Sequence, residues 1–270
     1  MTSNLLKFTG LFFILLSCNT GKLNVIGDIA NSLKEVSAAE YISNSNLVWV
    51  IEDAGNKNNL YGLNPNGNII KDIDISNAEN IDWEDLTSDS DGNIYIGDFG
   101  NNKGKRKTFT IYKVKNPANI VDKTTAEIIT IEMPKKLKDE DYESFFLLNN
   151  YFYLFTKESG SFKVVKVANK IGKQKAELVT EFNLEGKHNK ITSADISNDG
   201  KTVILLNHDK LWKISDFTAD NFFKGHIEVV PFEHNSQKEG ICFKTNNTIL
   251  ITDERQGSDG GNIYSLKLQP

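Results

Sequence analysis

Cysteine is almost missing from this chain. Cys18 and Cys242 are the two occurrences among 270 residues, too few for the disulfide framework of a small secreted scaffold. Proline is scarce as well, at five residues, while aromatic and β-branched residues are frequent, which excludes the composition of a disordered chain. The four histidines show neither zinc-ligand spacing nor a serine partner, and no G-x-S-x-G elbow occurs, so neither a zinc site nor a serine-elbow hydrolase is expected. A basic excess is lacking. The 31 Lys and Arg against 36 Asp and Glu leave a formal charge of -5, with lysines scattered, so no nucleic-acid partner is expected. No apolar run reaches the ~18 residues of a membrane-spanning helix, and long stretches of helical period are absent too. What remains is ordinary globular material, 39% hydrophobic and long enough for a sizeable core.

The first 18 residues stand apart. MTSNLLKFTGLFFILLSC holds one basic residue, Lys7, a short apolar run from Leu11 to Leu16, then Ser17 and Cys18, the layout of an export signal too short to persist as a spanning helix. A small residue directly before cysteine, preceded by two leucines, resembles the lipobox of bacterial lipoproteins. That resemblance implies cleavage before Cys18 and lipid on its sulfur. The chain is therefore expected to comprise a signal over residues 1–17, a lipid-anchored tether over 18–22 and one domain over 23–270. Its expected place is the bacterial cell envelope, at the outer membrane or cell surface, with the membrane as partner through Cys18 and the domain monomeric. An acylated Cys18 leaves no disulfide. Cys242, inside the apolar run GICF, reads as a buried core thiol.

Beyond residue 19, short apolar runs of period-two character alternate with Asn, Asp and Gly, which predicts an all-β fold. Asp-Gly at 91–92 and 199–200 and Asn-Asn at 149–150 and 246–247 each join two such runs. They read as hairpin turns, because these residues tolerate the positive φ a tight turn needs. Aligned on the acid before each hairpin, the chain repeats: EVSAAEYI from Glu35, EDLTSD from Glu84, ESFFLL from Glu143, DISNDG from Asp195 and EGICFK from Glu239. The intervals of 49, 59, 52 and 44 residues match the length of a propeller blade. Third strands recur as LYGLNP, IYKVKNP, KVVKVAN, LWKISD and IYSLKLQP, and fourth strands as IIKDIDI, EIITIEM, AELVTEF and IEVVPF. The fifth unit ends after its third strand. LNVIGDI from Leu23 is available to supply the fourth and close the ring without an open edge. A five-bladed β-propeller follows; a sixth blade would require splitting a unit that carries no extra acid.

In a propeller blade the innermost strand lines the central channel and begins near one mouth. Glu35, Glu84, Glu143, Asp195 and Glu239 are therefore expected to ring one axis, where converging carboxylates cannot all ionise without a cation. Calcium is the expected ion, since it accepts about six to eight oxygen ligands in flexible geometry. The second strands end in Asp98, Lys157, His208 and Asp253, and an antiparallel return brings these to the same mouth. There an acid or His208 would activate water beside an anionic or carbonyl ligand polarised by the ion. Structural ion pairs at Lys157 and solvated acids are the competing reading. DSDGN at 89–93 resembles the start of an EF-hand loop, but Gly100 stands where the loop's closing Glu belongs, and a hairpin turn accounts for it. Trp49, Trp83 and Trp212 read as packing residues.

WED, then DGNIYIGDFGNN, then Arg106 and IYKV, resemble a group of exported bacterial β-propeller proteins common in Bacteroidota. KEVS, DYESFFLLNNYFYLFTK and QKEGICF extend the resemblance over the mature chain. More remotely, the acid in each blade is similar to calcium-centred propellers of the gluconolactonase and paraoxonase type, the propeller phytases and the calcium-activated nucleotidases. That resemblance implies calcium-assisted hydrolysis of lactones or phosphoesters, but it is architectural and carries no substrate. Two functions stand as alternatives: a calcium-dependent hydrolase of such small molecules, or a non-catalytic surface module binding a glycan or protein, its ion clamping the blades.

Overall fold

The computed structural model of the chain describes residues 20–42, 44–184 and 186–269; the expected signal and the lipidation site at Cys18 lie outside the described residues. Five antiparallel sheets form the five blades of a β-propeller. The innermost strands of blades 1 to 5 are Val36–Ile42, Trp83–Ser88, Tyr142–Leu148, Ser193–Ile196 and Lys238–Thr245. Each turns through a hairpin into a second strand: Leu47–Glu52, Ile94–Asp98, Tyr151–Thr156, Val203–Leu206 and Thr248–Asp253. Blade 5 takes its outer strand from the other end of the chain, as the missing repeat element requires: Asn24–Asp28 pairs antiparallel with Asn262–Lys267. Helical structure among the described residues is limited to short 3-10 turns, Pro117–Asn119 and Phe222–Lys224, and no helix is long and apolar enough to cross a membrane.

Blades stack face to face, so a strand buries the side chains on both of its faces. Tyr95 points toward blade 3 and meets the edge of Phe152 at 5.0 Å, while its neighbours Ile94 and Ile96 point toward blade 1 and pack with Trp49 and Ile51. One apolar cluster fills each of the five interfaces. Two-sided burial is why the strands read as nearly continuous apolar runs. Trp49, Trp83 and Trp212 are fully buried in these clusters, and Cys242 is a buried free thiol between blades 5 and 1. Three of the four expected turns adopt positive φ, 79° at Gly92, 69° at Gly200 and 50° and 65° at Asn149 and Asn150, whereas Asn246 and Asn247 turn without it. In DSDGN, the Asp89 carboxylate accepts from the backbone N–H of Asp91 and of Asn93 at 3.0 Å each, which closes the turn.

Four short strands among the described residues lie outside the repeat; Arg255–Gln256 and Asp259–Gly260 pair only with each other, and the other two extend blades. Lys123–Thr124 and Gly172–Lys175 add parallel fifth strands to the outer edges of blades 1 and 2. Each belongs to the loop before the outer strand of the following blade, which reaches back to cover its neighbour's edge.

The inner edge of each sheet raises a different problem, because backbone N–H groups there face the axis with no strand beyond. Side chains accept them. Asp85 of blade 2, wholly buried, accepts from Phe145 N of blade 3 at 3.1 Å, Ala194 N of blade 4 at 3.2 Å and Ser193 Oγ at 2.9 Å. Ser193 Oγ in turn accepts from Ile241 N of blade 5 at 3.1 Å. Asp85 therefore sits on the axis and plugs the channel, leaving a mouth at either end.

Candidate metal centre

Four inner strands begin with the same irregularity. A bulge falls between Val36 and Ala38, Trp83 and Asp85, Tyr142 and Ser144, and Lys238 and Gly240, throwing one extra residue out of the ladder at the mouth. That residue is Glu84, Glu143 and Glu239 in blades 2, 3 and 5, and Ser37 in blade 1. Thr192 holds the corresponding place in blade 4. Ser37 Oγ donates to Trp83 O at 2.9 Å and Thr192 Oγ1 to Lys238 O at 2.8 Å, the same link to the next blade.

The expected ring of five acids is thus corrected to three at equivalent positions. Glu35 lies two residues ahead of its bulge, exposed, where Asn56 Nδ2 donates to it at 2.7 Å. Asp195 pairs with Ile204 in mid-strand and lines the opposite mouth. Both satisfy the spacing, but the bulge is set by backbone register, which residue type does not reveal.

The partners of Glu84 escaped the repeat alignment. Asp53, one residue past the second strand of blade 1, and Asp82, just ahead of the inner strand of blade 2, converge on it. One carboxylate oxygen from each of Asp53, Asp82 and Glu84 lies within 4.8 Å of the others. Glu143 stands beside them with its Oε1 buried and unpartnered. The extra acid was visible as IDWED, two residues before Glu84, but only the fold brings Asp53 across.

The GDFGNN segment presses this cluster together. Asp98 pairs with Arg106 at 2.5 Å and accepts from Asp82 N at 3.0 Å. Arg106 also donates to Gly100 O at 3.1 Å and Thr108 O at 2.7 Å. Asn101 N donates to Asp141 Oδ1 at 2.6 Å, and Asn101 Oδ1 accepts from Arg106 N at 2.9 Å. Gly100 N donates to Asp82 O at 3.2 Å, and a Cβ there would collide with Glu84 Oε1 and the Asp82 carboxyl group. Only glycine leaves the two acids that room.

Of the residues expected to rim the mouth, Lys157 and His208 do so, Lys157 Nζ 2.9 Å from Glu143 and His208 Nε2 2.9 Å from Glu239. Asp98 and Asp253 do not. Both are wholly buried, and Asp253 accepts from Asn262 N and Tyr264 OH, each at 2.7 Å. They are still paired in the ladder, opposite Trp83 and Lys238, and the pleat turns them into their own blades. The residue one position further on, as with Asp53, Lys157 and Glu254, has left the ladder and turns to the mouth; His208 lies two past its strand, and in blade 2 Phe99 packs into the core instead.

Burial governs the charges. It pushes Asp82 up to about 6, with Asp53 adding, and Glu254 to about 7, with Glu239 and Asp53 adding. Burial and the facing Glu143 raise Glu84 well above its ordinary value. Glu143 itself is pushed up to about 8 by burial, against the pull of Lys157. Burial opposes the charge of Lys157 too, but Glu143 and Glu239 outweigh it and hold the ammonium above its ordinary value. The mouth is short of positive charge, and a cation would let its carboxyls ionise. The Asp53, Asp82 and Glu84 set is entirely carboxylate oxygen, which fits a hard cation such as calcium.

No protein-family model matches the sequence, and no curated protein sequence matches it. Solved structures do resemble the fold. A gluconolactonase from Xanthomonas campestris aligns with TM-score 0.52 and 10% identity over 93% of this chain and 92% of that one. The PQQ-bound aldose sugar dehydrogenase of Streptomyces coelicolor aligns with TM-score 0.55 and 7% identity over 92% and 98%. A structural-genomics protein of unknown function from Bacteroides thetaiotaomicron aligns with TM-score 0.53 and 9% identity over 90% and 74%. At these identities the fold alone is shared, and the chain is a five-bladed β-propeller.

Proposed function

We propose that the mouth at Glu84 binds a calcium ion and that the chain hydrolyses a small lactone there. The convergence of Asp53, Asp82 and Glu84 within 4.8 Å carries this reading. These three residues would hold the ion, with Glu143 as a further oxygen donor beside Glu84. Bound calcium would supply Lewis acidity toward a carbonyl oxygen. The chain would supply the proton chemistry: His208, whose Nε2 is held 2.9 Å from Glu239, would take a proton from water at its other ring nitrogen. The surroundings favour an uncharged ester over a phosphoester, because Lys157 and Arg106 are already paired with Glu143 and Asp98. A lactone is also the substrate class in the name of the Xanthomonas campestris relative.

A second reading keeps the ion and drops the chemistry. Asp53 belongs to blade 1 and Asp82 and Glu84 to blade 2, so an ion shared among them would clamp two blades of a surface module that binds a glycan or protein. Anchoring through lipid on Cys18, and with it a place in the cell envelope, belongs to the proposal on the strength of residues 1–18; mass spectrometry finding an unmodified Cys18 in the mature chain would remove it.

Calorimetric titration with calcium, run beside a gluconolactone hydrolysis assay, separates these readings. Binding of about one ion per chain, weakened about tenfold or more by Glu84→Gln, is expected. Calcium-dependent turnover supports the hydrolase, and binding without turnover leaves the clamp. No binding by the unmutated chain removes both.

A further inference from the structure

Beyond the Asp85 plug, at the opposite mouth, lies a cavity of about 790 Å³ to which all five blades contribute. That is within the size range of small-molecule sites. Its floor is formed by Glu40 and Asp195, on the inner strands of blades 1 and 4, at 4% and 6% exposure. Asp195 accepts from Ile196 N and Phe243 N, both at 2.7 Å, and Glu40 Oε1 accepts from Tyr41 N at 2.7 Å. Each carboxyl is thereby fixed in place with acceptor capacity to spare. One wall is a pre-formed network: Tyr95 OH donates to Asp89 Oδ2 at 2.8 Å, and Asn169 Nδ2 donates to Tyr95 OH at 3.0 Å. The rim differs. The side-chain amides of Asn44, Asn149, Asn150 and Asn198 line the cavity and make no hydrogen bond within the described residues.

We propose that this mouth is a second binding site, independent of the acid cluster, for a small uncharged, hydroxyl-rich molecule: a free monosaccharide or polyol. A hydroxyl group both donates and accepts. It finds fixed acceptors on the floor, and donors in the free amides and in Lys244 at the rim. An anion would face Glu40, Asp195, Asp89 and Asp91 together. An apolar molecule would strip water from these groups and replace none of its hydrogen bonds. Burial raises both floor carboxyls, Asp195 to about 7 and Glu40 well above its ordinary value with Asp195 adding, and a proton held between them is one more donor for a hydroxyl oxygen.

The test is titration of the full chain with D-glucose, D-galactose and myo-inositol up to about 50 mM, followed by NMR and calorimetry. A dissociation constant on the order of 1 mM is expected for at least one of them, as suits so small a ligand. Glu40→Gln keeps the acceptor for Tyr41 N and is expected to weaken binding about tenfold. Asn149→Gly, which suits the φ of 50° at that position, removes a rim amide at the surface and is expected to weaken it about threefold. Glu84→Gln, at the other mouth, is expected to bind as the unmutated chain does. No saturable signal with any of the three compounds overturns the proposal. So does binding that both Glu40→Gln and Asn149→Gly leave unchanged, or calcium binding that Glu40→Gln abolishes.

Discussion

Arg106 joins groups that the backbone alone would leave apart: the Asp98 carboxylate, Gly100 O and Thr108 O. Its guanidinium is nearly buried and Asp98 is wholly so. Removing it strands a carboxylate in the interior and frees the Gly100 turn on which Asp82 and Glu84 rest. Arg106→Ala is therefore expected to cost about 3–5 kcal/mol, read as a shift of the urea midpoint at unchanged slope, with calcium affinity falling alongside. Arg106→Lys keeps the charge but not the planar fork, so it is expected to recover part of the stability and little of the turn geometry. A midpoint within error of the unmutated chain for both variants would show that the Asp98 pair contributes nothing.

Inner strands depend on Asp85 as a strand depends on its neighbour. Asp85→Ala leaves Phe145 N, Ala194 N and Ser193 Oγ without their acceptor at the axis, and a loss of about 3–5 kcal/mol is expected by denaturant unfolding. Asp85→Asn, which keeps an acceptor oxygen, is expected to lose less, and equal losses would mean that volume rather than hydrogen bonding matters there. The strands were legible in the sequence because each buries two faces, and in four of the five blades Asp-Gly or Asn-Asn marks the turn between the first two. The fourth strand of blade 5 was legible because its absence from the C-terminal end was. The bulges were not: Glu84 and Asp195 look alike in a repeat alignment, and only the ladder separates a residue thrown into the mouth from one held in mid-strand. The one-residue error at Asp253 has the same origin, since the last paired residue and the first free one point opposite ways; in blade 2 no residue at that end turns outward, because Phe99 after Asp98 packs into the core. Asp85 and Glu40 were hidden for another reason. Both sit on strands whose alternation looks ordinary, and nothing in a sequence says that a strand edge faces an axis.

At the scale of the whole molecule, the raised carboxyls make stability depend on pH. Unfolded, these groups titrate at their ordinary values of 3.8 to 4.5; folded, Asp82 is near 6, Asp195 and Glu254 near 7 and Glu143 near 8. Between those limits the folded chain binds more protons than the unfolded one, so stability falls as pH rises through the window. The metal-free protein is expected to melt roughly 5–10 °C lower at pH 8 than at pH 5. Millimolar calcium should restore much of the loss at pH 8 and change little at pH 5; a flat profile would mean that the folded chain ionises these groups without penalty. The strand Asn24–Asp28 has a consequence of another kind. It is synthesised early, yet its partner strand is complete only at Lys267. Until then one blade lacks its rim and the circle stays open, so assembly must finish with a non-local clasp, a slow step for any chain. Arg255 fastens that clasp, gripping the Asp28 carboxylate and Ile29 O. Fraying from either terminus therefore loosens one and the same seam, and the rest of the ring is protected only as long as that seam holds.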